Sequence, residues 1–135
     1  ISEQEKIYNF GLHLGIAFQI KDDFLDTFGE GEKVGKKIGG DILRNKKTYL
    51  WLTAWNHANA TQKQQLSTLL HTTDETQKIN GVLAVYNQLQ VKERTEQAIQ
   101  NHYNTALQNL ESIRVKEEFK QPLHDIATML QQREF

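Results

Sequence analysis

The sequence predicts an all-α protein. Only one proline occurs among its 135 residues, and Gln, Leu, Ala, Lys and Glu, which all favour helices, are frequent. No stretch shows the alternation of β-branched and polar residues that is typical of a strand. From Asp74 onward, apolar residues recur three and four positions apart, as in helices that bury one face in a bundle. The residues of this pattern are Ile79, Leu83, Tyr86, Ala98, Ile99, Tyr103, Ala106 and Leu110.

Capping and breaking residues predict where the first helices begin and end. Ser2 can cap a first helix that continues to Phe28, before the glycines at positions 29 and 31. A polar, glycine-rich loop is expected next. Thr48 can then cap a second helix that ends near residue 57 or 58.

Four further helices are expected after the second. Thr61 can cap one that ends near Leu70, and Asp74 can open another to about residue 90. The next spans about 92–113, and the last ends near Arg133 with Pro122 in its first turn or at a kink. Since no repeat or linker interrupts the pattern, residues 1–135 are predicted to form one helical unit.

Composition excludes several classes of function. Sixteen basic and seventeen acidic residues give a formal net charge of −1, so no strong overall field attracts nucleic acid or an anionic membrane. The longest apolar cluster, residues 49–55, is far shorter than the ~20 residues of a membrane span. The absence of cysteine fits a reducing compartment, and we expect the cytoplasm. A chain that begins with Ile1 is interpreted as part of a longer protein.

An acidic cluster in the first helix suggests a metal site. At about 100° per residue, Gln19, Asp22, Asp23 and Asp26 share an arc of roughly 100° on one face. Such a cluster is often only a solvated face, but this one is embedded in apolar residues, which favours a place near a core or pocket. Carboxylates without His or Cys select hard cations such as Mg²⁺ or Mn²⁺. Because Mg²⁺ completes its shell with water and phosphate oxygens, a phosphate ligand is predicted.

Two glycines, Gly11 and Gly15, lie on the same side of this helix. Each costs roughly 0.5–1 kcal/mol relative to Ala in a helix interior. We therefore expect another group to approach the helix backbone closely there.

The loop after the helix contains residues that suit a phosphate. Gly35, Lys36, Gly39 and Asp41 form the pattern GKxxGxD, which is too short for a Walker A motif and excludes a P-loop nucleotidase. Lys36 by itself would be read as an ordinary solvated lysine. Together with Lys46, and placed after an acidic face, it predicts a compact positive charge beside a metal-bound diphosphate.

These segments resemble one enzyme family. Residues 11–26, GLHLGIAFQIKDDFLD, are similar to the second aspartate-rich motif of the all-trans isoprenyl (polyprenyl) diphosphate synthases. The lysine-bearing residues 35–48 and the closing helix to Arg133 also resemble that family. The resemblance covers the chain in order and implies an all-α fold, the C-terminal part of the isoprenoid synthase helical bundle, with homodimers common among its members.

The resemblance also implies roles for individual residues. Asp22 would bind Mg²⁺ directly, and Asp23 and Asp26 would act directly or through water. Gln19, Lys36 and Lys46 would bind the allylic diphosphate, and Asp41 would orient a lysine or a loop amide. No residue is assigned as a nucleophile, so no catalytic side chain is named.

The family's first aspartate-rich motif lies upstream of the second and is not in this chain. The chain would therefore carry half of the metal site, without the isopentenyl diphosphate site, and is expected to be inactive alone. A class I terpene cyclase or a head-to-head prenyl synthase shares this fold, but their second metal motifs differ, and cyclases generally have an Asn/Asp–Ser/Thr–Glu pattern. A non-catalytic helical interaction subunit is the remaining alternative.

Overall fold

The structure, a computed structural model, describes residues 2–29 and 38–132, and these residues form seven helices without a strand. This confirms the all-α prediction. The helices are α1 (Glu3–Phe28), α2 (Gly40–Leu43), α3 (Tyr49–His57), α4 (Ala60–Leu70), α5 (Glu75–Gln88), α6 (Val91–Glu111) and α7 (Glu117–Gln131). None of the helices found in these ranges is long and apolar enough to cross a membrane.

Side-chain caps fix most of the predicted helix starts. Ser2 accepts a hydrogen bond from the amide of Glu5, Thr48 caps α3 and Asp74 caps α5, as predicted. The predicted cap of α4 is wrong. Asn59, not Thr61, begins that helix, because Asn59 forms a reciprocal capping box with the third residue of the helix.

Two other predictions about helices need correction. The short helix α2 lies where a loop was expected, because four residues carry no readable apolar period. Pro122 lies inside α7, past its first turn, so the first of its two predicted places is wrong. Its side chain is exposed, so the ring does not displace core atoms.

The described residues form two compact units, divided after Lys21 and after Glu96. In the first unit, the beginning of α1, the end of α6 and α7 bury a common core, and the ammonium groups of Lys21 and Lys120 donate to the backbone oxygens of Gln131 and Glu111. The core consists of Phe10, Leu14, Tyr103, Ala106, Leu110, Ile113 and Ala127. This result agrees with the apolar spacing read from α6.

Within the described residues, no other element approaches the two glycines of α1 closely. Apart from the neighbouring residues and backbone of α1 itself, no atom of the described residues lies within 4 Å of a Cβ atom built at Gly11 or Gly15. Both positions are exposed. Neither glycine is therefore required by packing within the part of the chain that the structure describes.

The second unit contains the end of α1, helices α2 to α5 and the beginning of α6. Its core lies below the segment that joins α2 to α3 and consists of Ile42, Leu50, Trp51, Ala54, Leu66, Val82, Val85, Tyr86 and Val91. Burial raises the pKa of the Tyr86 phenol, with the Thr48 hydroxyl acting in the opposite direction. The segment from α2 to Thr48 therefore rests on a packed apolar layer.

Candidate functional site

The three aspartates of the acidic motif lie in the last two turns of α1, but they differ in exposure. Asp22 is half-buried, whereas Asp23 and Asp26 expose only 8% and 2% of their surface. A solvated acidic face is therefore excluded for the last two. Burying a carboxylate is costly unless it is paired or hydrogen-bonded, so the partners of these two side chains define what the motif does here.

Asp26 ties the end of α1 to the beginning of α2. Its Oδ2 atom accepts a hydrogen bond from the amide of Asp41 at 2.8 Å, and its backbone oxygen accepts one from Gly39 at 2.8 Å. Gly39 has a φ of 91°, a left-handed conformation that favours glycine, and a Cβ there would approach Ile79 to 2.9 Å. The conformation and the crowding together explain glycine at this position.

Asp41 is buried and pairs with two basic side chains. Its Oδ1 atom lies 2.6 Å from a guanidinium nitrogen of Arg44, and its Oδ2 atom lies 3.9 Å from Nζ of Lys46. The ammonium group of Lys46 also lies 3.6 Å from Oδ1 of Asp23. Lys46 thus stands between two carboxylates, one from α1 and one from α2.

The backbone after α2 turns back on itself to bring Lys46 to this position. Asn45 has a φ of 57°, which Asn tolerates better than most residues, and its side chain donates to the backbone oxygen of Leu70 at 3.2 Å. The amide of Lys46 then donates to the backbone oxygen of Asp41 at 3.0 Å. Asp41 therefore contacts both the main chain and the side chain of Lys46.

Further contacts hold the segment that joins α2 to α3, one from Lys78 of α5 and one at the start of α3. Lys78, which is 6% exposed, places its ammonium group 3.4 Å from the backbone oxygens of Leu43 and Leu70. At the start of α3, the amide of Tyr49 donates to Oδ2 of Asp23 at 3.3 Å. The cavity beneath the segment measures only about 10 Å³, room for about one water. This cavity is too small for a diphosphate.

The other predicted site residues are placed as follows. Gln19 precedes the division between the two units, in α1, and its side chain is exposed. Gly35, Lys36 and Arg133 lie outside the described residues. The structure thus brings Asp23, Asp26, Asp41 and Lys46 together.

Two partners of the motif were not predicted. Arg44 pairs with Asp41 three positions before it, a spacing at which helical side chains meet, so the sequence contains a weak signal for this pair. The amide of Tyr49 carries no such signal, because any residue except proline supplies an amide at that place. Its contact with Asp23 depends on the tertiary fold.

A second acidic group lies in the first unit. Atoms of Glu111, Glu117 and His124 that could bind a metal lie within 4.8 Å of one another, and Nε2 of His124 is 2.6 Å from Oε1 of Glu111. The ammonium group of Lys120 lies 3.6 Å from Oε1 of Glu117. This group therefore already contains a cation of the protein, and metal titrations must control for it.

The chemistry of the first group suits a hard cation and an anion together. Asp22 is the most exposed of the three aspartates at the end of α1. Lys46, with half of its side chain exposed, places its ammonium group beside Asp23 in the same cluster. Oxygen donors of this kind fit Mg²⁺ or Mn²⁺. The arrangement can hold a metal-bound phosphate by charge, and it requires no nucleophile.

Comparisons with known proteins give a consistent result. Residues 1–89 match the family described as Polyprenyl synthetase. The chain is 30% identical over 109 residues to an Octaprenyl diphosphate synthase of Escherichia coli (strain K12), covering 81% of this chain and 34% of that protein. It is 49% identical over 45 residues to a Farnesyl diphosphate synthase of Bacillus subtilis (strain 168), covering 33% of this chain and 15% of that protein.

The fold is similar to that of a solved relative. The crystal structure of a geranylgeranyl pyrophosphate synthase matches with a TM-score of 0.82 and 36% identity, covering 98% of this chain and 42% of that one. The chain thus spans about two-fifths of the structure it matches, and about a third of the octaprenyl relative.

Proposed function

Because the chain belongs to the polyprenyl synthetase family, we propose that it forms the C-terminal part of a Mg²⁺-dependent prenyltransferase. The intact enzyme would condense isopentenyl diphosphate with an allylic diphosphate to make longer all-trans polyprenyl diphosphates. The observation that carries this proposal is the position of Lys46 between Asp23 and Asp41, beside the aspartates at the end of α1. This position supports the proposal because an ammonium group, which could bind an anion, lies next to carboxylate oxygens, which could bind a cation.

Each residue of the motif has a role in this proposal. Asp22 would bind the metal, with Asp23 and Asp26 contributing directly or through water, and Mn²⁺ could replace Mg²⁺. Gln19, Lys36 and Lys46 would contact the diphosphate of the allylic substrate. Bound Mg²⁺ would supply positive charge that stabilises the diphosphate as it leaves.

The reaction needs charge stabilisation rather than a nucleophilic side chain. The allylic carbon–oxygen bond breaks, and its electron pair leaves on the diphosphate. The double bond of isopentenyl diphosphate would form the new carbon–carbon bond, and a proton would then pass to the released diphosphate, which restores a double bond. Lys46 would favour the first step, because its ammonium group would lie beside the diphosphate oxygens on which negative charge develops.

The proposal extends to the whole protein. The 135-residue chain would contribute half of the metal and diphosphate site and would have no prenyltransferase activity alone. The intact enzyme would be a homo-oligomer in the cytoplasm. The site would act on small diphosphates, and the net charge of −1 gives no general attraction for nucleic acid.

A chimera tests this function directly. Residues 1–135 would replace the matching segment of the Escherichia coli octaprenyl diphosphate synthase, and turnover of isopentenyl diphosphate with an allylic diphosphate would be measured. We expect turnover in the chimera and a loss of about 10²-fold or more in its Asp22→Ala variant, because charge stabilisation of the leaving group is removed.

A matched control separates this effect from folding. Asp125→Ala removes an exposed aspartate from α7, in the other unit, and should leave turnover unchanged. A folded Asp22→Ala chimera with the turnover of the unsubstituted chimera would refute the assignment. A folded chimera without turnover would refute the proposed contribution of this segment.

A further inference from the structure

Asp41 contacts Lys46 through two of its groups, and a third group ties Asp41 to α1. Its amide binds Asp26, its backbone oxygen accepts from the amide of Lys46, and its carboxylate lies within 4 Å of the ammonium group of Lys46. The carboxylate itself is 7% exposed, whereas the side chain of Lys46 is 50% exposed. The buried residue Asp41 thus holds the backbone of Lys46, while the side chain of Lys46 remains half exposed to solvent.

This arrangement matters because lysine is a flexible side chain. Ordering a free lysine costs up to about 2 kcal/mol of rotamer entropy, and that cost opposes binding when the ligand has to do the ordering. A lysine already held by the fold loses less when an anion binds. Lys46 is restrained at its backbone by Asp41 and at its ammonium group by Asp23 and Asp41.

We propose that Asp41 is a positioning residue that holds Lys46 toward the diphosphate, and that Asp26 fixes Asp41 in turn. The third aspartate of the motif would then act through the loop that carries Lys46. This inference rests on the proposed function, because it assigns Lys46 a diphosphate ligand. It adds to the metal role proposed for Asp26 a second role, that of holding the segment around Lys46 in place.

The direction in which Asp41→Asn changes the affinity for diphosphate separates a positioning role from a simple electrostatic effect. Asp41 is an anion close to the proposed binding place of another anion, so by charge alone its neutralisation should tighten diphosphate binding. If its main effect is to hold Lys46, Asp41→Asn should weaken binding instead. The two accounts therefore predict opposite changes for the same variant.

The experiment uses the 135-residue chain and two readouts. The first is the motion of the Lys46 side chain, measured by NMR relaxation of its ε-methylene group. The second is the affinity for inorganic diphosphate in the presence of Mg²⁺, measured by calorimetry. The variants are Asp41→Asn, Lys46→Ala and the double variant, with Glu96→Gln as a control that removes an exposed acid elsewhere.

We expect Asp41→Asn to increase the motion of Lys46 and to weaken diphosphate binding at least fivefold. In the Lys46→Ala background, Asp41→Asn should no longer weaken binding, because the group that it positions is absent. Glu96→Gln should change neither readout. Asn has nearly the shape of Asp and keeps the amide that donates to Asp26, so the variant should fold.

A second variant tests the restraint of the Lys46 side chain without changing Asp41. Asp23→Asn removes the other carboxylate beside Lys46 and should also increase the motion of that side chain. Unchanged motion of Lys46 in both variants would overturn the inference, as would unchanged or tighter diphosphate binding by Asp41→Asn. Increased motion in a chain that binds no diphosphate would refute the proposed function while supporting the restraint of Lys46 by Asp41.

Discussion

The amide of Asp41 donates a hydrogen bond to Oδ2 of Asp26 over 2.8 Å, although 15 positions separate the two residues. The backbone oxygen of Asp26 also accepts from Gly39, so one residue of α1 fixes the start of α2 twice. Because only 2% of its surface is exposed, Asp26 is shielded from bulk water and forms these hydrogen bonds with protein groups instead. The aspartate-rich motif is therefore also a structural feature of the loop that follows it.

Asp26→Ala should lower the free energy of unfolding by about 1–3 kcal/mol, because it leaves the amide of Asp41 without its acceptor. The measurement is urea denaturation followed by circular dichroism. Asp125→Ala, at an exposed position of α7, should change stability by no more than about 0.5 kcal/mol. Equal, small changes in both variants would show that the Asp26 contact contributes nothing to stability.

Lys36→Ala should weaken allylic diphosphate binding in the chimera more than Lys37→Ala, because only Lys36 matches the family motif. A charge-assisted contact is worth about 1.5–3 kcal/mol, so the loss for Lys36→Ala should be tenfold or greater. The dissociation constant of the allylic substrate is the quantity to measure. Small and equal losses in the two variants would identify the segment as a generic basic loop.

Much of the fold can be predicted from the sequence, because it depends on local patterns. The apolar spacing of α6 correctly places Tyr103, Ala106 and Leu110 in the core. Caps at Thr48 and Asp74 are also readable, since a short polar side chain before an apolar run has a local reason to be there. The sequence does not distinguish Asn59 from Thr61 as the cap of α4, because each is followed three residues later by a glutamine, and only the structure shows that Gln62 completes the capping box.

The site is less readable than the fold. The sequence places Asp22, Asp23 and Asp26 on one arc of a helix, but it does not reveal that two of them are buried. Their partners, the amides of Asp41 and Tyr49, come from a segment whose path depends on the left-handed residues Gly39 and Asn45. Side-chain periodicity carries no information about such backbone contacts.

Thr95→Val should raise the free energy of unfolding by about 1 kcal/mol. The Thr95 hydroxyl is fully buried and has no hydrogen-bond partner within the described part of the chain, so its removal relieves a desolvation cost. Thermal and urea denaturation check this expectation. The matched variant Thr48→Val removes a hydroxyl that caps α3 and should instead cost about 0.5–2 kcal/mol. A destabilised Thr95→Val variant would contradict the account of a costly buried hydroxyl.

His102→Gln should reduce the loss of stability on acidification. Burial, with a further contribution from the charge of His13, lowers the pKa of His102 below its ordinary value of 6.5. The folded state therefore binds fewer protons than the unfolded state, so stability is retained above about pH 6.5 and is lost as the pH falls through the folded pKa. Protonating both rings would also remove the 3.0 Å hydrogen bond between their Nδ1 atoms.

The measurement for His102 is the free energy of unfolding as a function of pH, in wild type and variant. His71→Gln, at an exposed position, serves as the control and should follow the wild type. A His102→Gln variant with the same pH dependence as the wild type would show that this pair does not control acid stability.

The proposed function requires that this segment bind diphosphate through Mg²⁺ held by Asp22. Its most direct test is calorimetric titration of the 135-residue chain with inorganic diphosphate, in Mg²⁺ and in a chelator, for wild type, Asp22→Ala and the triple Glu111→Gln, Glu117→Gln, His124→Gln variant. We predict weak binding that requires Mg²⁺, that is lost in Asp22→Ala and that persists in the triple variant, because a half-site leaves much of the metal shell to water. Binding that is unchanged in Asp22→Ala, or that does not require Mg²⁺, would contradict the account.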